Sequence, residues 1–99
     1  MIDTRLIQAR DDAKAGAAAA DDGERATATE CLDDARAAVW QLLNAETDLA
    51  DRDRSTLRYD LKQFEEAIKL LQLGKLKSAV YVADRIIGSL TRLVDRWVS

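Results

Sequence analysis

Two pairs of neighbouring aspartates are the first feature of this sequence that could carry chemistry. Asp11–Asp12 and Asp33–Asp34 lie at similar distances along the chain from Gly23. If Gly23 marks the turn of an antiparallel helical hairpin, the two pairs come to the same height, and Mg²⁺ and Ca²⁺ prefer oxygen ligands. At about 100° per residue, however, Asp12 lies at the edge of its helix's apolar stripe and the other three point well away from theirs. We therefore expect solvated carboxylates, and a divalent-metal-binding or catalytic protein is the least favoured hypothesis.

The chain holds no histidine and a single cysteine. The absence of histidine excludes zinc–histidine sites, histidine-centred triads and phosphohistidine relays. Cys31 lies on the flank of an apolar stripe and has no basic residue one turn away that could activate its thiol, so we expect a small, buried or half-buried side chain. We expect no catalytic residue, no metal, no cofactor and no enzyme activity.

Aromatic and basic side chains are the better candidates for binding. Trp40 lies off the apolar stripe of its helix, so it either packs at a corner of the bundle or anchors a partner protein. Trp97 lies in line with apolar residues and belongs either to the core or to a dimer seam. The polar face of the last helix carries Lys77, Tyr81, Arg85, Arg92 and Arg96, and the preceding helix extends it with Arg58, Tyr59 and Lys62.

This basic face has three interpretations: a nucleic-acid surface, a surface for an acidic protein, or a solvated face without a partner. The acidic balance of the whole chain disfavours nucleic acid. The partner-binding candidates are Trp40, Tyr59, Tyr81, Arg85, Arg92, Arg96 and Trp97.

Helices must position these side chains, because the chain contains no proline, only four glycines and many strong helix formers. Apolar residues recur at spacings of three and four, which predicts an all-α fold: a four-helix bundle built from two antiparallel αα-hairpins. The expected helices span residues 3–22, 24–49, 55–73 and 75–98. They form one domain, 1–99, with hairpins over 1–50 and 55–99 and a linker over 46–55.

Short polar residues mark the expected helix ends. Asp3 is the predicted N-cap of the first helix and Ser55 that of the third. Asp21 and Glu24 have the spacing of a capping box at the start of the second helix. Gly16 lies inside the first helix, where glycine is less favourable than alanine by roughly 1 kcal/mol, and therefore indicates close packing.

The two halves of the chain repeat one plan at an offset of 51 residues. In each half a glycine is followed five, nine and twelve positions later by small or apolar residues: Gly23, Ala28, Leu32 and Ala35, then Gly74, Ala79, Ala83 and Ile86. This spacing resembles the second helix of a tetratricopeptide hairpin, although the aromatic and Leu-Gly positions of that family's first helix are missing. The resemblance implies a tight αα-hairpin and a protein-binding role.

The last helix carries a wide apolar stripe, which touches either two neighbouring helices or one neighbour and a second subunit. The charges are also divided unevenly: residues 1–50 hold 5 Lys/Arg against 11 Asp/Glu, and residues 51–99 hold 10 against 7. The acidic half of one copy therefore suits the basic face of another. Both features favour a homodimer.

The chain has no apolar run near the roughly 18 residues of a membrane span, and its first residues lack the order of a signal peptide. We expect a cytoplasmic protein without membrane contact. The favoured function is a small non-catalytic protein–protein interaction module that associates with itself and acts as an adaptor, regulator or inhibitor, including one encoded by a phage or mobile element. The alternative is a nucleic-acid-associated regulator that uses the basic face of the last helix.

Overall fold

The computed structural model describes residues 3–45 and 49–98, which form four α-helices. These helices are α1 (Thr4–Asp21), α2 (Arg25–Asn44), α3 (Asp51–Gln72) and α4 (Leu76–Val98). Each helix packs against the next along the chain, and α4 returns to pack against α1, so the four close around one core. This arrangement confirms the all-α four-helix bundle. No helix in the described ranges has both the length and the apolar character required to cross a membrane.

The α1–α2 and α3–α4 turns have the same backbone geometry. Gly23 has φ +80° and Gly74 has φ +76°, a left-handed conformation that favours glycine. At the first turn the Glu24 amide donates to the Ala19 carbonyl at 2.8 Å, and the residues 51 positions later make the same bond at 2.9 Å. The correspondence between the two halves therefore reflects one turn used twice.

The predicted N-cap at Asp3 is confirmed, whereas the predicted capping box of Asp21 and Glu24 is wrong. The Asp3 carboxylate accepts a hydrogen bond from the Arg5 amide at 2.9 Å and caps α1 as expected. The capping box does not form, because Asp21 is the last residue of α1 and Glu24 occupies the N-cap of α2 without a side-chain hydrogen bond. The backbone groups at the end of α1 and the start of α2 are instead satisfied by backbone hydrogen bonds within the turn.

The linker expected over 46–55 is shorter than predicted. The second helix ends at Asn44 and not at residue 49, and residues 46–48 lie outside the described residues. Leu49 is buried, but it reaches the core from the connection and not from α2.

The prediction of Ser55 as an N-cap is also wrong. The third helix begins one turn earlier, at Asp51, with Ala50 at the N-cap. Asp51 and Asp53 lie in the first turn, where the helix dipole favours negative charge. Asp53 is also buried and forms an ion pair with Arg96 of α4, and this tertiary contact holds the polar start of α3 in helical form.

Small side chains make up most of the buried face of α1. The buried residues of α1 include Ala9, Ala13, Gly16, Ala17 and Ala20. A Cβ atom on Gly16 would lie 2.8 Å from Cδ2 and 2.9 Å from Cγ of the buried Leu32. The absence of a side chain at Gly16 therefore allows Leu32 of α2 to pack directly against the backbone of α1, as the sequence predicts.

The wide apolar stripe of α4 is used inside the bundle. Helix α4 packs against α1 on one side and α3 on the other, and Ala83, Ile86 and Leu90 are almost fully buried between them. The stripe thus contacts two neighbouring helices, the first of the two alternatives, and gives no further support to a second subunit. Trp97 is half-buried against the same core.

Candidate functional site

A groove of about 730 Å³ opens between α3 and α4. Its lining includes Tyr59 and Asp60 from α3 and Arg85, Gly88, Ser89 and Arg92 from α4. The volume falls within the range of roughly 300–1,000 Å³ that is typical of small-molecule sites. The structure therefore brings three of the predicted binding residues, Tyr59, Arg85 and Arg92, to one place.

Asp60 forms the floor of the groove because it lies on the inner face of α3. It follows Leu57 by one turn and precedes Phe64 by one turn, and both of these side chains are fully buried. Asp60 is itself only 2% exposed. Across the groove floor, the Ser89 hydroxyl of α4 donates a hydrogen bond to Asp60 Oδ2 at 2.7 Å.

Burial raises the pKa of the Asp60 carboxyl to about 6, while the hydrogen bond from Ser89 and the positive charge of Arg92 act in the opposite direction. A buried carboxylate is normally paired with a cation. Asp60 forms no ion pair with a described residue, and no described group donates a hydrogen bond to its second oxygen, Oδ1. The groove floor thus holds a desolvated carboxylate with unused hydrogen-bonding capacity.

Two exposed arginines border the groove, and neither forms an ion pair with a described carboxylate. The Nη1 atom of Arg92 lies 3.6 Å from the position that a Cβ on Gly88 would take, so this guanidinium extends along the glycine. The guanidinium carbon of Arg85 lies 6.0 Å from the centre of the Tyr81 ring, at the outer limit of a cation–π contact. Tyr81, which is 66% exposed, therefore adjoins the groove through Arg85.

Arg96 has a contact that the sequence does not predict. Its Nη2 donates to Oδ1 of Asp53, which is 8% exposed, and the pair connects the end of α4 to the start of α3. Arg92 and Arg96 also line a depression of about 540 Å³. Arg96 thus has a structural role, whatever it contributes to a partner.

The two tryptophans lie apart from the groove lining. Trp40, on α2, is 53% exposed, which favours the partner-anchor interpretation over packing at a corner. Its carbonyl accepts a hydrogen bond from the Asn44 side chain at 2.8 Å. Trp97 packs on the core, so its predicted contact with a partner would involve only the part that remains exposed.

The aspartate pairs form no metal centre in the structure as described: within residues 3–45 and 49–98, no three His, Cys, Asp or Glu side chains are placed to hold an ion. Asp11 is exposed, and Asp33 binds Arg36 at 2.8 Å. Asp12 is half-buried, and its pKa is raised first by burial and then by the charge of Asp34. One member of each pair, Asp12 on α1 and Asp34 on α2, is therefore close enough to interact electrostatically, where the sequence predicts divergence.

Cys31 is half-buried beside this acidic group, as expected. Burial raises the pKa of its thiol, and the carboxylates of Asp12, Asp34 and Glu30 raise it further. Because the thiolate is the reactive form of cysteine, these surroundings disfavour nucleophilic chemistry at this position.

Sequence reasoning missed the two residues that form the groove floor, although a signal was present. Asp60 occupies a position of the α3 apolar stripe between Leu57 and Phe64, and Ser89 follows Ile86 by one turn on the inner side of α4. A polar side chain at a core position must find a hydrogen-bond partner. The two polar exceptions could have been singled out as candidates within their helices, but pairing them requires the register between α3 and α4.

Comparison with known proteins assigns no family. No protein-family model matches the chain, and neither a curated protein nor a solved structure matches it. The tetratricopeptide-like spacing therefore informs the hairpin geometry alone.

Proposed function

We propose that this protein is a small non-catalytic helical interaction module, acting as an adaptor, regulator or inhibitor, that binds a protein partner through the α3–α4 face. This face comprises Tyr59, Tyr81, Arg85 and Arg92. The observation that carries the proposal is the exposure of three of the five aromatic side chains: 53% for Trp40, 54% for Tyr59 and 66% for Tyr81. Tyrosine, tryptophan and arginine are enriched among the residues that dominate protein–protein affinity.

The charge of the face supports an acidic partner. Residues 51–99 hold 10 Lys/Arg against 7 Asp/Glu, and the two arginines of the face pair with no described carboxylate. A negative surface on the partner would meet these guanidinium groups, and such complementarity raises both specificity and association rate.

Affinity capture with matched variants tests the proposal. Tyr59→Ser combined with Tyr81→Ser removes both tyrosines from the face, while Leu73→Ser removes another exposed apolar side chain at the α3–α4 turn. We expect a protein that binds the wild type and Leu73→Ser but not the double variant, confirmed by direct titration with the purified partner. If the double variant captures the same proteins as the wild type, the proposal is contradicted.

Trp40→Ala decides whether a second surface takes part. Trp40 lies on α2, outside the groove lining, so its loss should leave the α3–α4 face intact. We expect weaker capture of the same partner if that partner spans both surfaces. Unchanged capture restricts the interface to α3 and α4.

Self-association belongs to the same proposal and now rests on the charge difference between the two halves, because the α4 stripe is used inside the bundle. Light scattering at low and high salt measures it. We expect a dimer at low salt that dissociates towards the 11.0 kDa monomer when salt screens the charges. A monomer at both salt concentrations contradicts the homodimer.

A nucleic-acid-associated regulator is the second candidate, favoured by the exposed arginines Arg85 and Arg92. If they bind phosphates, affinity must fall as salt rises, because bound counterions are released. Reversal of both arginines to glutamate should then abolish retention on DNA or RNA. A wild-type protein without salt-sensitive binding to either polymer excludes this function.

A further inference from the structure

The groove between α3 and α4 holds charges of both signs that do not pair with one another. Asp60, 2% exposed, receives one hydrogen bond from Ser89 and no ion pair from a described residue. Arg85 and Arg92, on the border, likewise lack a carboxylate partner among the described residues. A buried carboxylate without a cation is unfavourable, so this set of groups is suited to completion by a ligand.

The spacing of the charged groups limits the size of that ligand. Ser89 and Arg92 lie one turn apart on α4, about 4.5 Å along the helix axis. Because the Ser89 hydroxyl bonds the Asp60 carboxylate directly, this carboxylate lies beside Ser89. The Arg92 side chain leaves α4 about one helical turn further along. A molecule with a cation and an anion only a few bonds apart can contact both residues.

The four charged residues of the groove also limit the charge of the ligand. Asp60 and Asp84 are acidic, and Arg85 and Arg92 are basic. A simple cation would meet Asp60 but be repelled by the arginines, and a simple anion would meet the arginines but be repelled by the aspartates. A ligand that carries both charges can place each one against its complement.

Gly88 leaves the space that such a ligand needs. It lies in the interior of α4 and lines the groove, and the atom nearest to a Cβ built on it is Arg92 Nη1, at an ordinary contact distance of 3.6 Å. Neither a positive φ nor a close backbone approach requires glycine here. The residue is nonetheless less favourable in a helix than alanine by roughly 1 kcal/mol, and any larger side chain would extend into the groove.

We propose that the groove binds a small zwitterion of the amino-acid class, with its ammonium group on Asp60 and its carboxylate on Arg92. The ammonium donates to Oδ1 of Asp60, and the carboxylate accepts from the guanidinium of Arg92. The ring of Tyr59, on the rim, offers an aromatic surface to the rest of the ligand. This ligand site goes beyond the proposed partner surface and does not depend on it.

Titration of the isotope-labelled chain of residues 1–99 with each standard L-amino acid at millimolar concentrations tests this assignment. We expect at least one amino acid to give saturable shifts in the amide signals of Asp60, Ser89 and Arg92. Its N-acetyl derivative lacks the ammonium and its amide derivative lacks the carboxylate, so each should bind about tenfold more weakly or worse. The assignment is overturned by a panel without saturable shifts, or by derivatives that bind as well as the amino acid.

Variants of the groove provide the second test. Asp60→Asn keeps the shape of the side chain and an acceptor for Ser89 while removing the negative charge, and Gly88→Leu fills the groove with a good helix former. Both should weaken binding about tenfold or more, whereas Lys69→Gln, which removes an exposed charge of α3 outside the groove lining, should bind like the wild type. Wild-type affinity in Asp60→Asn contradicts the assignment. Amino-acid titration and partner capture are separate readouts, so either proposal can fail without the other.

Discussion

The α1–α2 and α3–α4 hairpins share one turn geometry, yet their helices meet in different ways. Gly23 and Gly74 provide equivalent left-handed turns with matching hydrogen bonds. Beyond the turn, the buried face of α1 consists mostly of alanines, with Gly16 against Leu32. The buried face of α3 instead carries large side chains such as Phe64, and its buried Asp60 accepts a hydrogen bond from the half-buried Ser89 of α4. The turn therefore sets the direction of the returning helix, and the sizes of the inward side chains decide whether the two helices close completely or leave a groove.

The two glycines inside helices express this difference most directly. Gly16 faces the side chain of Leu32 at a distance that leaves no room for a methyl group. Gly88 faces the groove, with only the end of the Arg92 side chain nearby. The same residue type thus permits close packing in one hairpin and keeps a space open in the other. Substitutions in each hairpin test this contrast.

Truncation of Phe64 should produce the largest effect, because the α3–α4 hairpin depends on side-chain volume. Phe64 is fully buried in the core, and Phe64→Ala should lower the free energy of unfolding by about 3–5 kcal/mol. Urea unfolding measures the change. Tyr59→Ala, on the same helix at 54% exposure, is the matched control and should stay within about 0.5 kcal/mol of the wild type. If Phe64→Ala lowers the free energy of unfolding by less than about 1 kcal/mol, the α3–α4 hairpin does not depend on side-chain volume at this position.

Asp60 should make the stability of the α3–α4 hairpin depend on pH. Folding raises the pKa of Asp60 from an ordinary value near 3.8 to about 6. Its contribution is therefore fully present below the unfolded pKa and is lost as the pH rises through about 6, a change of roughly 3 kcal/mol over the whole window. Asp60→Asn removes this titration and keeps an acceptor for Ser89.

Urea unfolding of Asp60→Asn and the wild type at about pH 4.5 and pH 7.5 measures this effect. The variant should gain about 2 kcal/mol relative to the wild type between the two pH values, because most of the titration lies between them. Asp21→Asn, which removes an exposed carboxylate, controls for the loss of one charge. A constant difference between Asp60→Asn and the wild type would show that the carboxyl is not desolvated in the folded protein.

Much of the fold could be predicted because local rules determine it. Apolar spacing located four helices, and Asp3, Gly23 and Gly74 marked ends that depend on residues nearby in the chain. The predicted start of α3 was wrong because the true start depends on Asp53, whose partner Arg96 lies 43 residues away. A boundary stabilised by a tertiary contact leaves no local pattern.

The candidate site likewise has a part that could be predicted from local rules and a part that could not. Helical periodicity alone assigned Arg85 and Arg92 to one face of α4, and Tyr59 was expected to extend that face from α3; the structure brings all three to the groove. The hydrogen bond between Ser89 and Asp60 could not be predicted with the same rule, because it requires the register between α3 and α4. That register is set by the packing of large side chains, which periodicity within one helix does not contain.

Gly16→Ala should have a smaller effect than the Asp60 titration, and it tests close packing in the α1–α2 hairpin. The new methyl group would overlap Leu32, which is buried and must move. Overpacking of this kind costs about 1–3 kcal/mol and is partly offset by a gain of roughly 1 kcal/mol in helix propensity. We therefore expect a net loss of about 0–2 kcal/mol in the free energy of unfolding. Thermal and urea unfolding should agree on this loss. Stabilisation would mean that the helices can separate at no cost.

Gly88→Ala is the matched substitution in the α3–α4 hairpin, with the smallest expected effect and the opposite sign. Its Cβ would make an ordinary contact with the Arg92 side chain and overlap nothing. The variant should therefore show only the helix-propensity gain, a stabilisation of about 0.5–1 kcal/mol by urea unfolding. Destabilisation would show that the α3–α4 helices are closely packed at this point, as α1 and α2 are at Gly16. A stabilising alanine would instead mean that folding does not require a glycine at this position, which is consistent with a groove that stays open beside Gly88.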